Sequence, residues 1–145
     1  MTIAEFDHFE IEKKKELLRQ CCNSSAWVNK MLTVFPVEDL VELMEDAEEK
    51  WYECTEEDWK EAFSHESKSM PDGTLEKILQ QLEDENKKYK EKFSYTFIVS
   101  ATGKSAEDIL NLLQSRFLNS PEEEIKIAME EQNMIIKIRL EKLFA

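Results

Sequence analysis

Glycine and proline are too scarce in this chain for most folds that depend on tight turns. Its 145 residues contain two glycines and three prolines. A dinucleotide-binding fingerprint needs three glycines in one turn, so that class of site is excluded. Sandwiches and barrels place glycine or proline at many turns and are disfavoured for the same reason. Long helices with short connections fit this composition best, so we predict an all-α fold. Because the chain has 145 residues and 41% of them are hydrophobic, we predict a single domain over residues 1–145 with a sizeable core.

Apolar residues recur at helical spacing through most of the sequence. The pattern covers residues 10–22, 24–32, 36–51, 55–65, 74–92, 105–117 and 120–143. Ser105 with Asp108 fits a capping box, and Ser120 followed by Pro121 is a typical helix start. We therefore predict at least seven helices and no paired sheet. The predicted core contains Trp27, Trp51, Trp59, Phe63, Leu82, Phe97, Leu113 and Leu140.

Two segments interrupt the helical pattern. Residues 66–73, ESKSMPDG, are polar and include Pro71 and Gly73, so we predict a loop there. Residues 93–103, FSYTFIVSATG, are rich in β-branched and aromatic side chains, which is typical of a strand. The sequence offers no second strand to pair with it. We therefore predict a buried extended segment between helices.

The chain is strongly acidic, with a formal net charge of −13 from 19 basic and 32 acidic residues. Such a surface repels phosphate backbones and anionic lipid headgroups, so we expect neither nucleic acid nor membrane as a partner. Cys21, Cys22 and Cys54 fit no disulfide framework and are expected to be reduced, as in a cytoplasmic protein. We expect no signal peptide and no membrane span.

Most motifs for catalysis or metal binding are missing. The segment ATGKS at 101–105 is similar to the end of a P-loop, but Ile98 stands where that loop needs a glycine. Two histidines and three scattered cysteines give no zinc spacing, so we predict no metal site.

Two residues stand out by position, and each has two interpretations. His65 ends an apolar helix, where it is either a cation favoured by the helix dipole or a general acid or base. Arg139 interrupts the apolar run IIKIRL. It is either a surface arginine whose stem covers apolar surface or a cation that binds a polar ligand.

Three blocks of sequence together carry a resemblance to a known family. The first is CCNSSAWVNKM (21–31) with Pro36 and EEDWKEAFSH (56–65), the second is NKKYKEKFSYTFIVSATGKS (86–105) with ILNLLQSR (109–116), and the third is EEEIKIAMEEQNMIIKIRLEKL (122–143). In this order they resemble the 2-oxo-4-hydroxy-4-carboxy-5-ureidoimidazoline (OHCU) decarboxylases over nearly the whole chain. The resemblance implies an all-α bundle. It also implies a cofactor-free decarboxylation of OHCU to (S)-allantoin, the last step from urate in purine breakdown.

The resemblance also implies the site residues. The family's catalytic histidine falls on His65, and the arginine of its terminal helix falls on Arg139. Backbone amides of Phe97, Ile98 and Val99 are expected to hold the substrate ring. The implied partner is the small-molecule ureidoimidazoline, no cofactor is implied, and a homodimer stays open.

The sequence departs from the family after the histidine. His65 is followed by Glu66-Ser67-Lys68-Ser69 instead of Pro-x-Ile-Gly. The family's glutamate, in a Ser-x-x-Glu-Gln motif, has no counterpart, because the segment from His65 to Thr74 is too short to hold it. Two hypotheses therefore stand. One is a decarboxylase with a carboxylate elsewhere, such as Glu66, or with none; the other is a non-catalytic binding or interaction protein on the same fold.

Overall fold

The described part of the chain is helical, as predicted. A computed structural model describes residues 1–66 and 75–145. Within those ranges eight helices are present and no strand. The helices are α1 (Ile3–Asp7), α2 (Ile11–Cys21), α3 (Ser25–Met31), α4 (Leu40–Tyr52), α5 (Glu56–Ser64), α6 (Glu76–Phe93), α7 (Ala106–Arg116) and α8 (Pro121–Leu143). The all-α fold class is therefore confirmed. The predicted loop at 66–73 lies, apart from Glu66, outside the described residues.

Helices α7 and α8 begin where the sequence predicts, whereas α4 begins at Leu40 and not at residue 36, because the Asp39 side chain caps it. The Ser105 hydroxyl accepts from the N–H of Asp108 at 3.1 Å, and the Asp108 carboxylate accepts from the N–H of Ser105 at 3.1 Å. This capping box satisfies two backbone donors at the start of α7. At the start of α8 the Ser120 hydroxyl accepts from the N–H of Glu123 at 3.3 Å, with Pro121 as the first helical residue.

The chain divides into two compact units. The first contains residues 1–62 and 133–145. Its helices α3 and α4 are joined by a hydrogen bond of 3.2 Å from the indole N–H of Trp27 to the carbonyl of Ala47. The largest buried side chains of this unit are Phe6, Leu18, Trp27, Met31, Leu43, Trp51, Ile136 and Leu140. Burial of these side chains supplies the main apolar contribution to its stability.

The second unit contains residues 63–132, of which 63–66 and 75–132 are described. Its helices are α6, α7 and the first twelve residues of α8. The segment predicted to be buried and non-helical lies between α6 and α7. Residues 96–101 of that segment form no helix, strand or turn, and Ile98 and Val99 are buried.

Some side chains predicted to be buried are more exposed than expected. Trp59 and Phe97 are half-buried, whereas the other predicted core residues are buried. Ile11 and Leu75 lie on the predicted apolar stripes but are exposed, because Ile11 is the first residue of α2 and Leu75 is the N-cap residue of α6. No helix among the described residues is long and apolar enough to cross a membrane. The expectation of one domain over 1–145 stays a prediction.

Candidate active site

Asn86 on α6 fixes the start of the non-helical segment. This residue is 5% exposed. Its side-chain oxygen accepts from the N–H of Phe97 at 3.0 Å, and its amide lies 3.3 Å from the Thr96 hydroxyl. Because a buried amide group needs partners, these bonds pin residues 96–97 to α6. They also occupy the N–H of Phe97, one of the three backbone groups assigned to the substrate by resemblance.

Arg116 on α7 fixes the middle of the segment. Its guanidinium donates from Nη1 to the carbonyl oxygen of Ile98 at 2.7 Å. The same guanidinium lies over the ring of Phe97, with Cζ 4.3 Å from the ring centroid. Arg116 is only 7% exposed. A charged hydrogen bond and a cation–π contact therefore hold two consecutive residues of the segment in place.

Glu124 on α8 pairs with Arg116 in the interior. Glu124 is fully buried. Its carboxylate lies 2.7 Å from Nη2 and 3.0 Å from Nε of Arg116. Asn119 donates its side-chain amide to the other carboxylate oxygen at 3.2 Å, and the Tyr89 hydroxyl donates to the same carboxylate. A buried ion pair of this kind is stable only when its remaining polar atoms also have partners.

Tyr89 stays protonated in this network. Burial is the main cause that raises the pKa of its phenol, and the hydrogen bond to Glu124 raises it further. The proton therefore stays on the phenol oxygen, which donates to the carboxylate. We call Tyr89, Arg116, Asn119 and Glu124 the buried polar cluster.

Ser100 ends the held part of the segment. Its N–H donates to the carboxylate of Glu131 on α8 at 3.4 Å. Its carbonyl accepts from the Lys104 ammonium at 2.7 Å. Three helices of the second unit thus hold the segment through side chains, where a sheet would hold it through backbone bonds.

Four backbone N–H groups of residues 96–101 have no hydrogen-bond acceptor among the described residues, those of Thr96, Ile98, Val99 and Ala101. Ile98 and Val99 are the two of these that the resemblance assigns to the substrate, and we call their N–H groups the two available N–H groups. Both residues are buried, 2% and 5% exposed. A backbone N–H in a buried residue is nearly always paired. These two groups are therefore suited to an acceptor that the chain itself does not provide, such as a ligand oxygen.

His65 follows the last residue of α5. Its side chain is exposed, and a backbone bond of 3.2 Å from Glu66 to the carbonyl of Phe63 closes the turn around it. The next residue, Glu66, is half-buried and accepts from the side-chain amide of Gln132 at 3.1 Å. Gln132 is fully buried, and its own amide oxygen has no donor among the described residues.

One turn of α8 therefore bonds to two segments of the second unit, the one that contains His65 and the one that contains Ile98 and Val99. Glu131 bonds to the N–H of Ser100, and its neighbour Gln132 bonds to the residue after His65. The structure links the histidine segment and the Ile98–Val99 segment through these two consecutive residues.

Arg139 belongs to the first unit. Its side chain is half-buried and donates from Nη1 to the carbonyl of Cys21, the last residue of α2, at 3.1 Å. A cation is favourable at that helix end. Burial raises the pKa of the Cys21 thiol to about 11, and Arg139 offsets part of this effect.

No group of three or more histidine, cysteine or acidic side chains suited to a metal ion occurs in the described ranges. The polar groups described in the second unit are backbone N–H groups, a histidine, carboxylates and one arginine. Such a set can bind an oxygen-rich molecule, stabilise negative charge on one of its oxygens and move a proton.

Comparison with known proteins identifies the family. The family model described as OHCU decarboxylase matches residues 8–68 and 64–141. The chain belongs to the OHCU decarboxylase family. The two matched stretches overlap at residues 64–68, which begin at the last residue of α5 and include His65.

Two curated relatives are proteins of uric acid degradation. The chain is 30% identical over 148 residues to "Uric acid degradation bifunctional protein TTL" of Arabidopsis thaliana, covering 86% of this chain and 45% of that protein. It is 36% identical over 59 residues to "Uric acid degradation bifunctional protein" of Bacillus sp. (strain TB-90), covering 41% of this chain and 12% of that protein. The chain thus spans less than half the length of the curated relatives it matches.

Two solved structures are similar. A crystal structure of an OHCU decarboxylase in the presence of (S)-allantoin matches with a TM-score of 0.82 and 33% identity, covering 94% of this chain and 99% of that one. A crystal structure of (S)-allantoin synthase matches with a TM-score of 0.80 and 15% identity, covering 98% of this chain and 54% of that one. The second match, at that identity, shows the fold alone.

The sequence reasoning missed the side chains that hold the segment. Arg116 gives a signal, since it is one of three arginines and shares a helix face with Ile109 and Leu113. Glu124 gives none, because it follows two other glutamates in the first turn of α8 and only the structure separates the buried one.

Proposed function

We propose that this chain decarboxylates OHCU to (S)-allantoin without a cofactor. Membership of the OHCU decarboxylase family supports this reaction. The observation that carries the proposal is the pair of N–H groups at Ile98 and Val99, which lie in buried residues and lack an acceptor in the described chain. They lie in the segment where the family resemblance expects the substrate ring.

The chemistry needs a site for negative charge. When the bond to the carboxylate breaks, CO₂ leaves and the bonding electron pair forms a C=C bond to the neighbouring ring carbon, whose C=N bond opens and takes up a proton on nitrogen. The product is an enol whose oxygen is that of the 4-hydroxyl group, and loss of the hydroxyl proton makes it an enolate. A preorganised N–H donor at that oxygen stabilises the charge as it develops, and removing one such donor costs about 10²–10³ in kcat.

His65 is proposed to move the proton. An imidazole changes protonation near neutral pH, so it suits removal of the substrate hydroxyl proton and delivery of a proton to one face of the ring carbon that carries the ureido group. Delivery to a single face gives one enantiomer. Arg139 is proposed as a substrate-binding residue because of its place in the family's terminal helix, with a guanidinium suited to carbonyl and ureido oxygens.

Glu66 is proposed to supply the carboxylate that the family motif would otherwise provide. It directly follows His65, and its carboxylate is held by the buried amide of Gln132 at 3.1 Å. A carboxylate fixed in this way accepts hydrogen bonds from ureido N–H groups, since an ionised carboxylate is acceptor-only.

The test is to add the protein to freshly prepared OHCU and to monitor the formation of allantoin by circular dichroism. The substrate decays by itself to racemic allantoin, so the uncatalysed rate is the reference. We expect the protein to speed the decay and to give an optical signal of one enantiomer. His65→Ala should lower kcat by about 10²–10⁴ and remove the optical signal.

The chain offers matched controls for both side chains. His8 and Arg19 are exposed, and neither is part of the proposed site. His8→Ala and Arg19→Ala should therefore keep the wild-type rate, whereas His65→Ala and Arg139→Ala should not. Equal rates in all four variants would reject the assignment of both residues.

A non-catalytic binding protein is the second candidate function. The observation that favours it is the segment from His65 to Thr74, which is too short to hold the family's Ser-x-x-Glu-Gln motif. Racemic product at the uncatalysed rate, together with binding of allantoin, would establish that function instead.

The partner and the compartment follow from the same proposal. We propose a small-molecule partner and a cytoplasmic location, supported by three cysteines that are all free thiols. Light scattering tests whether the protein is a homodimer.

A further inference from the structure

The peptide between Ile98 and Val99 joins the buried polar cluster to one of the two available N–H groups. Its carbonyl oxygen accepts the 2.7 Å bond from Arg116. The only cis peptide bond in the described chain is Phe35–Pro36, so this peptide is trans. In a planar trans peptide the C=O and the N–H point in opposite directions. The Val99 N–H therefore points away from Arg116.

A cation at the carbonyl makes the N–H of the same peptide a stronger donor. Hydrogen bonds in a chain polarise one another, and the effect is larger in a low-dielectric interior. Arg116 is buried, and its charge is fixed against the carbonyl by the carboxylate of Glu124. The N–H of Val99 thus lies at the end of a series of hydrogen bonds that runs from the Glu124 carboxylate through Arg116 to the carbonyl of Ile98.

The neighbouring N–H group lacks this support. The Ile98 N–H belongs to the peptide whose carbonyl is that of Phe97. That carbonyl accepts no hydrogen bond from the described residues. The two available groups therefore differ in donor strength, although they are adjacent in the chain.

We propose that Arg116 is a positioning residue that makes the Val99 N–H the principal hydrogen-bond donor to the substrate oxyanion. This inference rests on the proposed decarboxylation, because it names the group that stabilises the enolate. Glu124, Tyr89 and Asn119 hold the guanidinium in place for this role.

The first test uses the wild-type protein and needs no substitution. Phe97–Ile98 and Ile98–Val99 are the only Phe-Ile and Ile-Val pairs in the sequence. Labelling isoleucine at its carbonyl carbon with ¹³C and valine with ¹⁵N therefore marks the Val99 amide alone. Labelling phenylalanine and isoleucine in the same way marks the Ile98 amide alone. Each amide proton is then followed while (S)-allantoin is added.

We expect the Val99 proton to move downfield at saturation by at least twice the shift of the Ile98 proton. An equal or larger shift at Ile98 would overturn the inference, as would no response at Val99 in a protein that catalyses the reaction. A wild-type protein that neither speeds the reaction nor responds to allantoin rejects the proposed function and this inference together.

The second test removes the charges of Arg116 and Glu124 together, so that neither is left unpaired in the protein interior. We expect Arg116→Gln with Glu124→Gln to lower kcat by about 3–10-fold, a fraction of the loss from deleting an oxyanion donor. KM should change by less than about twofold, because a polarised donor acts mainly as charge develops. The Val99 shift on adding allantoin should fall by more than half.

A stability-matched control separates positioning from a general loss of folding. Leu43→Ala empties a fully buried site in the first unit and lies outside the proposed machinery. At a temperature where both variants are folded, Leu43→Ala should keep kcat within twofold of wild type. A double variant that is folded and has the wild-type kcat would overturn the inference. If the double variant does not fold, the comparison of the two wild-type amides decides alone.

Discussion

The buried polar cluster gives a sharp prediction about stability. Glu124 is fully buried and Arg116 is 7% exposed, with contacts of 2.7 and 3.0 Å between them. Glu124→Gln leaves the guanidinium in the interior without a counter-charge. Breaking a buried ion pair from one side costs about 3–5 kcal/mol. We expect a loss of this size from Glu124→Gln, and a similar loss from Arg116→Gln.

The double variant should lose much less than the sum of the two. With both charges gone, no unpaired ion remains, and two amides can bond to each other. We expect a total loss of about 3 kcal/mol and therefore, with about 3–5 kcal/mol for each single variant, a coupling energy of about 3–7 kcal/mol, at or above the upper end for side chains in contact. Such a value identifies direct pairing inside the protein, because exposed ion pairs give about 0.2–1 kcal/mol.

The assay is urea unfolding at pH 7 with two probes. All three tryptophans lie in the first unit, so their fluorescence reports mainly on that unit, whereas far-ultraviolet circular dichroism reports on every helix. Coincident curves license a two-state free energy. Losses below about 1 kcal/mol in both single variants, or strictly additive losses, would refute the reasoning.

Three further predictions concern other parts of the chain. Gly103 has a φ of +75°, and no atom lies within 4 Å of where a Cβ would stand. Gly103→Ala should therefore lower the free energy of unfolding by about 1 kcal/mol and the Tm by about 3 °C, through backbone strain alone. Gly103→Asn should lower both by less, because asparagine tolerates this φ. Burial raises the pKa of Cys21 to about 11, so the folded protein keeps a proton that the unfolded chain releases near pH 9. The free energy of unfolding, measured by urea titration, should therefore fall between pH 9 and 11 by up to about 1.4 kcal/mol per pH unit. Cys21→Ala should remove this part of the pH dependence. Glu66→Gln should reduce decarboxylation, and Gln132→Leu should reduce it less, because Gln132 acts only by holding Glu66; equal rates to wild type in the circular dichroism assay would contradict the role of this carboxylate.

The helices could be predicted because their signals are local. Ser105 and Asp108 are three residues apart, and Ser120 directly precedes Pro121, so each cap is complete within one turn of chain. The first helix, α1, was missed because five residues are too few to show a period. The exposed Ile11 shows the limit of periodicity, which gives a face of a helix but not how far along that face the core extends.

The candidate site was predicted only in part, since its supports are distant in sequence. Asn86, Arg116 and Glu131 bond to backbone groups 11, 18 and 31 residues away. No spacing rule joins such positions, because the separation is set by how the helices pack. The resemblance placed Ile98 and Val99 in the site, but it gave no reason why their N–H groups would be available.

Arginine and lysine have different places in this acidic chain, and the difference explains why the cation of the buried polar cluster is an arginine. No lysine among the described residues is buried, whereas Arg116 is buried and Arg139 half-buried. Each of these arginines donates to a backbone carbonyl, that of Ile98 or Cys21. A guanidinium is less strongly hydrated than an ammonium and presents several donors in one plane. It can therefore serve a carboxylate and a carbonyl at once inside the protein, as Arg116 does, while a lysine ammonium is a compact charge that stays hydrated.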